Sequence, residues 1–252
     1  MRLGIRLRAA ADMVPSDSYL MDIGCDHAWL PIVLAKEGVI RSALASDVRE
    51  GPLSAASHNI SAAGLNEKIR TSLADGIPKN WKELLPGYLS DGKDKAVACT
   101  ILGMGGRMIA SICFDALEQG CSVKHEDSLR NNAAGITDLI VSPQRDEDIC
   151  RRMLVRCGFD IRDETYVEED GKGYPIIHAV HGGSKADLSD EEAFYGPVLI
   201  RRMPDLYRIR LEKRRELLLA IRSRLPEDSK LRRLEIEREL KSVENVLQGE
   251  IK

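Results

Sequence analysis

Short apolar runs alternate with stretches of helical spacing along the first three quarters of the chain. The runs YLMDIG (19–24), SALASD (42–47), IRTSLADG (69–76), KAVACTILG (95–103) and DLIVSPQ (138–144) have the length and apolar content of buried strands. Between them, residues 2–14, 28–38, 51–64, 106–120 and 146–157 read as helices. Leu3, Leu7, Ala10 and Met13-Val14 line one side of the first, and Pro15 follows it. Pro52 near the start of the third and Gly64 past its end occupy the places those residues prefer. FDIRDETYVEED (159–170) and YPIIHAV (174–180) then read as two strands joined by Gly171-Lys172-Gly173, a hairpin signal.

Strands alternating with helices predict an α/β fold: a Rossmann-like, seven-stranded, mostly parallel sheet with an antiparallel hairpin at one edge, spanning residues 1–185. Residues 120–137 read as a polar insertion, 182–193 as a polar linker, and FYGPVLI (194–200) as a docking segment. Past about residue 199 the pattern changes. Leu206, Ile209, Leu217 and Ile221, then Ile236, Leu240, Val243 and Leu247, have helical spacing, and LPEDSK (225–230) interrupts them. Two antiparallel, coiled-coil-like helices are the expectation for a C-terminal domain, 186–252.

Charge divides along the same line. Residues 201–252 carry 15 Lys and Arg against 10 Asp and Glu, whereas residues 1–200 carry 22 against 30. A basic tail on an acidic body fits a polyanionic partner, and a solvated charged helix pair fits it equally well. The six cysteines, at 25, 99, 113, 121, 150 and 157, contain no pair with the two-residue gap of a redox or zinc motif, and no metal is expected. The first residues do not read as a signal peptide, and no apolar run is long enough to span a bilayer. A reducing cytoplasm and a monomeric state are the default expectations.

The first strand–helix turn carries the chemistry. Asp22-Ile23-Gly24-Cys25-Asp26-His27 stands where a dinucleotide fingerprint would continue with glycines. A pyrophosphate wants bare backbone amides, and a carboxylate would repel it. A cationic ligand reverses that logic, and S-adenosylmethionine has a sulfonium, an α-ammonium and no phosphate. Asp47, 23 residues after Gly24 at the end of the second strand, is placed to take ribose hydroxyls. Asp75-Gly76 ends the third strand, where a carboxylate can accept from the adenine amino group. Two other readings stay open: the acids cap helices, Asp26 as the N-cap of the helix that follows, or the site takes NAD.

The motifs DIGCDHAWLP, SDVREGP, ADG, ILGMGG, SPQ and the late FYGPVLI resemble the bacterial tRNA adenine-N1 methyltransferases of the TrmK type. The resemblance runs over essentially the whole chain; Trp29 stands where family members usually have Tyr. It implies a class I methyltransferase domain followed by a coiled-coil-like domain. It also implies transfer from S-adenosylmethionine to N1 of the adenosine at position 22 of tRNA, in the D arm. Residue by residue, it implies cofactor contacts at Asp22, Gly24, Asp26, His27, Asp47, Asp75, Gly76 and the Gly103–Gly106 loop, Gly103 and Gly105 included.

That loop also bears on which nitrogen is methylated. Enzymes that methylate exocyclic amines resemble one another in placing Asp/Asn-Pro-Pro-aromatic here, whereas this chain has Leu102-Gly103-Met104-Gly105-Gly106. Ring N1 has an in-plane lone pair and carries no hydrogen, so positioning suffices for most of the rate. Asp26 is the first candidate for a carboxylate that tolerates the developing positive charge. Met104 is a candidate to lie against the base. Pro143 and Gln144 are candidates to read the Watson–Crick edge of a flipped adenine. Arg107 and the run RRMPDLYRIRLEKRR (201–215), with Arg201, Arg202, Arg214 and Arg215, are candidates to grip RNA phosphates, and Arg2, Arg6 and Arg8 extend that surface. Packing explains Met104 and Gln144 as well, and a structural hydrogen bond explains His27. The rival functions are a small-molecule methyltransferase and a protein that holds cofactor and RNA without turnover.

Overall fold

The computed structural model describes residues 2–90, 96–118, 135–182, 187–226 and 229–250. Two compact units divide the chain, Met1–Asp187 and Leu188–Lys252.

The first unit is built on one sheet of seven strands: β1 (Ser18–Ile23), β2 (Ile40–Asp47), β3 (Ile69–Leu73), β4 (Val97–Met104), β5 (Asp138–Pro143), β6 (Phe159–Glu169) and β7 (Lys172–His181). Their order is β3-β2-β1-β4-β5-β7-β6. The first five are parallel, and β7 runs antiparallel to both of its neighbours. The antiparallel strand is therefore one place in from the edge, and the edge strand β6 runs with β5. The hairpin turn is Asp170-Gly171, both at positive φ, and not the Gly171–Gly173 segment the sequence suggests. A two-residue turn of that hand matches the twist of the flanking strands, which is why Asp-Gly wins over the glycines further on.

Helix α1 (Ile5–Ala11) precedes the first strand, and α2 (Trp29–Lys36), α3 (Glu50–Ala62), α4 (Trp81–Leu84), α5 (Gly106–Glu118) and α6 (Glu147–Arg156) lie between successive strands. β1 and β5 are buried along their whole length, as sheet strands covered on both faces must be. The large core cluster joins α1, α2 and α3 to the sheet through Ala10, Val14, Leu30, Leu34, Ala56 and Ile60. The short helix α4, with no counterpart in the sequence reading, buries Trp81 against the ring of Tyr88, which itself meets Tyr19 edge-on. Most of the polar insertion expected at 120–137 lies outside the described residues.

The second unit opens with α7 (Asp190–Tyr195) and α8 (Pro197–Arg202). The sequence reading makes 190–193 linker, yet Ser189 and Glu192 form a reciprocal capping box there and start a helix. Gly196 then breaks the expected docking segment into two helices. Helices α9 (Asp205–Arg224) and α10 (Lys230–Gln248) run antiparallel. Arg214 pairs with Glu239 at 2.6 Å, and Arg233 donates to the Leu225 carbonyl near the connection.

Their seam is Tyr207, Leu211 and Leu218 against Ile236, Leu240, Val243 and Val246. On α9 this corrects the sequence reading, for Leu206, Ile209 and Leu217 are exposed. The helix carries apolar residues on two adjacent sides, and the side anchored by the Tyr207 hydroxyl on the Tyr195 carbonyl, 2.6 Å, is the one that packs. No helix among the described residues is long and apolar enough to cross a membrane.

Candidate active site

The strand order reverses between β1 and β4, so the crevice outside their carboxyl ends is where an open α/β sheet takes its ligand. The turn after β1 begins at Gly24, with φ +70°. The amides of Gly24 and Cys25 both donate to the Ser46 carbonyl, at 2.8 and 2.9 Å, which folds the turn over the end of β2. Asp26 and Ala28 also have positive φ, and α2 begins only at Trp29, with Ala28 as an N-cap that makes no side-chain bond. Asp26 is thus not the N-cap. Its carboxylate is exposed, 3.8 Å from His27 Nε2, in a conformation unusual for a residue with a Cβ. Asn59 on α3 holds the other side of the turn by donating to the His27 carbonyl at 3.0 Å.

Two further carboxylates lie beneath this turn. Asp22 is buried near the end of β1 and accepts a 2.7 Å hydrogen bond from Thr100 Oγ1 on β4. Burial pushes its pKa up to about 6; the Thr100 bond opposes that shift and the neighbouring charge of Asp47 adds to it. Asp47, buried at the end of β2, accepts the Arg49 amide at 2.9 Å. Its carbonyl accepts from Ala74, so the segment leading to Asp75 and Gly76 is tied to the end of β2. Asp75 is exposed. The thiol of Cys25, desolvated beside Asp22 and Asp47, has its pKa raised far above the usual range and stays protonated.

Across the crevice, the loop after β4 is zipped to the loop after β5. The Gln144 amide donates to the Met104 carbonyl at 2.9 Å, and the Gly106 amide to the Arg145 carbonyl at 2.7 Å. A Cβ on Gly106 would collide with the Asp146 carbonyl, so the close approach of the two loops requires glycine there. A Cβ on Gly24 would collide with Met104 Cε, which brings the first turn and the β4 loop into contact.

The structure therefore gathers Asp22, Gly24, Asp26, His27, Asp47, Gly103, Met104, Gly105, Pro143 and Gln144 along adjacent strand ends. Arg107 is exposed and turned toward Asp146, at 3.5 Å. Arg201, Arg202, Arg214 and Arg215 belong to the second unit, where Arg214 is taken up by Glu239. Sequence reasoning missed Thr100, whose lone hydroxyl in an apolar strand was the available signal.

The donor set fits S-adenosylmethionine. Asp22 and Asp47 are buried close together, Arg49 Nε reaches Asp47 at 3.6 Å but no Lys or Arg among the described residues reaches Asp22, and the raised pKa of Asp22 is the cost of that arrangement. A sulfonium or ammonium relieves the repulsion, whereas a pyrophosphate would worsen it.

Comparison with known proteins agrees. The family model for tRNA (adenine(22)-N(1))-methyltransferase matches residues 20–246. A tRNA (adenine(22)-N(1))-methyltransferase from Bacillus subtilis (strain 168) is 31% identical over 186 residues, 74% of this chain and 68% of the relative. Among solved structures, Streptococcus pneumoniae Sp1610 in complex with S-adenosyl-L-methionine is 32% identical, with TM-score 0.76 over 98% of this chain and 100% of that one. The B. subtilis m1A22 tRNA methyltransferase TrmK is 25% identical, with TM-score 0.76 over 98% and 99%. Matched by the family model over most of its length and covered by the B. subtilis relative, this chain belongs to the tRNA (adenine(22)-N(1))-methyltransferase family.

Proposed function

We propose that this chain transfers a methyl group to N1 of the adenosine at position 22 of tRNA, and that the site described above performs the transfer. The observation that carries this reading is the pairing of desolvated carboxylates under the first turn with a β4 loop that offers no polar side chain. Bound S-adenosylmethionine supplies the methyl on a sulfonium, the charge that such carboxylates suit.

The chain's own residues hold and orient. Gly24 lets backbone approach the ligand, Asp22 and Asp26 offer negative charge on either side of the turn, and His27 is placed to contact the cofactor's polar end. Asp47 keeps acceptor capacity for ribose hydroxyls beyond its bond to the Arg49 amide. Asp75 and Gly76 close the adenine end, while Gly103 and Gly105 let the β4 backbone come close to the transferable methyl. Met104, already against Gly24, forms the apolar floor under the target base.

N1 needs no base to strip a proton, because its lone pair already lies in the ring plane. The catalytic task is an in-line approach and tolerance of a cationic product. Asp26, exposed at the mouth, is the carboxylate free to face that charge. Pro143 and the exposed Gln144 flank the opening, where Gln144 can donate to or accept from the Watson–Crick edge. The target must leave its stack first, so the RNA has to be gripped elsewhere. Arg107 and the arginines of the second unit supply that grip, and a tRNA substrate places the reaction in the cytoplasm.

Nucleoside mass spectrometry of tRNA from cells lacking this protein tests the reading. Loss of 1-methyladenosine at position 22, restored by the gene in trans, is expected; an unchanged level would sink it.

A further inference from the structure

Of the three arginines on the first helix that the sequence offers to RNA phosphates, Arg6 is the one whose surroundings single it out. Arg6 lies on α1, and its Nε and Nη1 are buried without a hydrogen-bond partner. Arg8, two residues on, shows what a structural arginine looks like on the same helix: it is held by Asp12 and Glu37 at 2.6 and 2.9 Å. Arg6 makes no such pair. Its guanidinium stacks over the ring of Tyr174, 5.2 Å from the centroid, and a Cβ placed on Gly103 would lie 3.0 Å from Nη1. The side chain is therefore wedged between an aromatic face and the backbone of the loop that carries Met104.

Both supports belong to the carboxyl end of the sheet. Gly103 is near the end of β4. Tyr174 is near the start of β7, which runs antiparallel to β5, so it lies beside the same end. The helix is secured from below, where the Arg6 amide donates to Glu169 Oε1 at 3.4 Å. Arg6 is half-buried, so part of the residue stays open to solvent. A desolvated cation with unused donors is costly to keep unless an acceptor arrives with a ligand. A planar guanidinium stacked on a ring is a group suited to phosphate.

We propose that Arg6 takes a phosphate of the target nucleotide, and so positions the flipped adenosine over the β4 loop. This rests on the functional reading above. The cation's role is with the phosphate and not with the base, because methylation at N1 makes the adenine positive and a guanidinium against the ring would oppose the transfer. Tyr174 and Gly103 set the distance: they fix the guanidinium beside the loop without letting it enter the space over Met104. Arg6 is thus a positioning residue, distinct from the carboxylates that serve the cofactor.

The test compares wild type, Arg6→Ala and Arg6→Lys on tRNA, with S-adenosylmethionine affinity from calorimetry and thermal melting beside the kinetics. Arg6→Ala is expected to lose at least tenfold in kcat/KM for tRNA. Its cofactor affinity should stay within twofold of wild type, and the salt slope of its tRNA affinity should fall by roughly 0.7–0.9, one phosphate contact. Arg6→Lys keeps the cation and decides the matter if the alanine variant melts early. It is expected to retain the wild-type salt slope and to recover part of the rate, since an ammonium cannot stack as the guanidinium does. Wild-type kinetics and slope in Arg6→Ala would overturn the proposal. So would a rate loss fully explained by weaker cofactor binding, or a wild-type melting curve in Arg6→Lys with the slope lowered as in alanine. Failure of the wild-type protein itself to form 1-methyladenosine would instead count against the function, whatever the variants do.

Discussion

Asp22 links the site to stability through its proton. It holds that proton to about pH 6, against 3.8 for an ordinary aspartate, because it is desolvated and faces Asp47. Between those pH values the folded chain binds a proton that the unfolded chain has released, so stability falls as pH rises through the window and the full penalty persists above it. A shift of this size is worth about 3 kcal/mol. Asp22→Asn, which can still accept from Thr100, is therefore expected to unfold at higher denaturant at pH 7 and to lose the slope of stability between about pH 4 and 6. The cost falls on function: the amide should weaken S-adenosylmethionine binding, and wild-type affinity should itself weaken as pH falls through about 6. Calorimetry across that range checks the sign, and an affinity that rises on acidification would exclude Asp22 from the cofactor's charge balance. Asp26 is the complementary case. Exposed and capping nothing, it should be replaceable by Ala without loss of melting temperature, while turnover falls by about two orders of magnitude. Near-normal turnover in that variant would refute its assigned role. These two carboxylates could be picked out in the sequence because acids at a strand-end turn break a familiar glycine pattern. Thr100 left only the faint signal of a hydroxyl in an apolar strand, and Arg6 stood out only as one of three arginines on the first helix, because both have ordinary explanations until their neighbours are known.

At the scale of elements, the parallel strands were legible because each is a short apolar run closed by a turn residue, a pattern that burial on both faces demands. Where two signals compete within a few residues, pattern alone fails. The hairpin offered both Asp170-Gly171 and Gly171-Lys172-Gly173, and the twist of the strands selected the first. Helix α9 offered two apolar sides one residue apart, and only the partner helix decides between them. That decision is measurable. Leu218 is 1% exposed in the seam, while its neighbour Leu217 is 50% exposed. Leu218→Ala should cost about 2–4 kcal/mol of stability in urea unfolding, as deletions from a packed core do. Leu217→Ala should stay within about 0.5 kcal/mol, as surface changes do. Equal losses would mean that both sides of α9 are covered. Helix α7 was missed for a different reason: its capping box is written plainly in Ser189-Asp190-Glu191-Glu192, but polar residues in a row read as linker until the reciprocal bonds are seen.

At the scale of the whole chain, the separation of charge has to be reconciled with where the cations are spent. The acidic first unit binds a cationic cofactor yet must act on a polyanion, and the basic second unit offsets that repulsion only through arginines that are not already paired. Arg214 is committed to Glu239 across the helix pair, 2.6 Å apart, so reversing its charge would set two carboxylates together and report mainly on that pair, worth about 0.2–1 kcal/mol. Arg201 and Arg208 are exposed and make no ion pair among the described residues, so they are the cleaner probes of RNA contact. The double change Arg201→Glu and Arg208→Glu is expected to weaken tRNA affinity at low salt and to lower the dependence of log affinity on log salt by roughly 1.5, two phosphate contacts. S-adenosylmethionine affinity and melting temperature should stay at wild-type values, because both residues are exposed and neither is part of the buried α9–α10 seam. Filter binding of tRNA over a salt series measures the slope directly. An unchanged slope would assign the basic excess of residues 201–252 to solvation of the helix pair and leave Arg107, with the first helix, to carry the RNA.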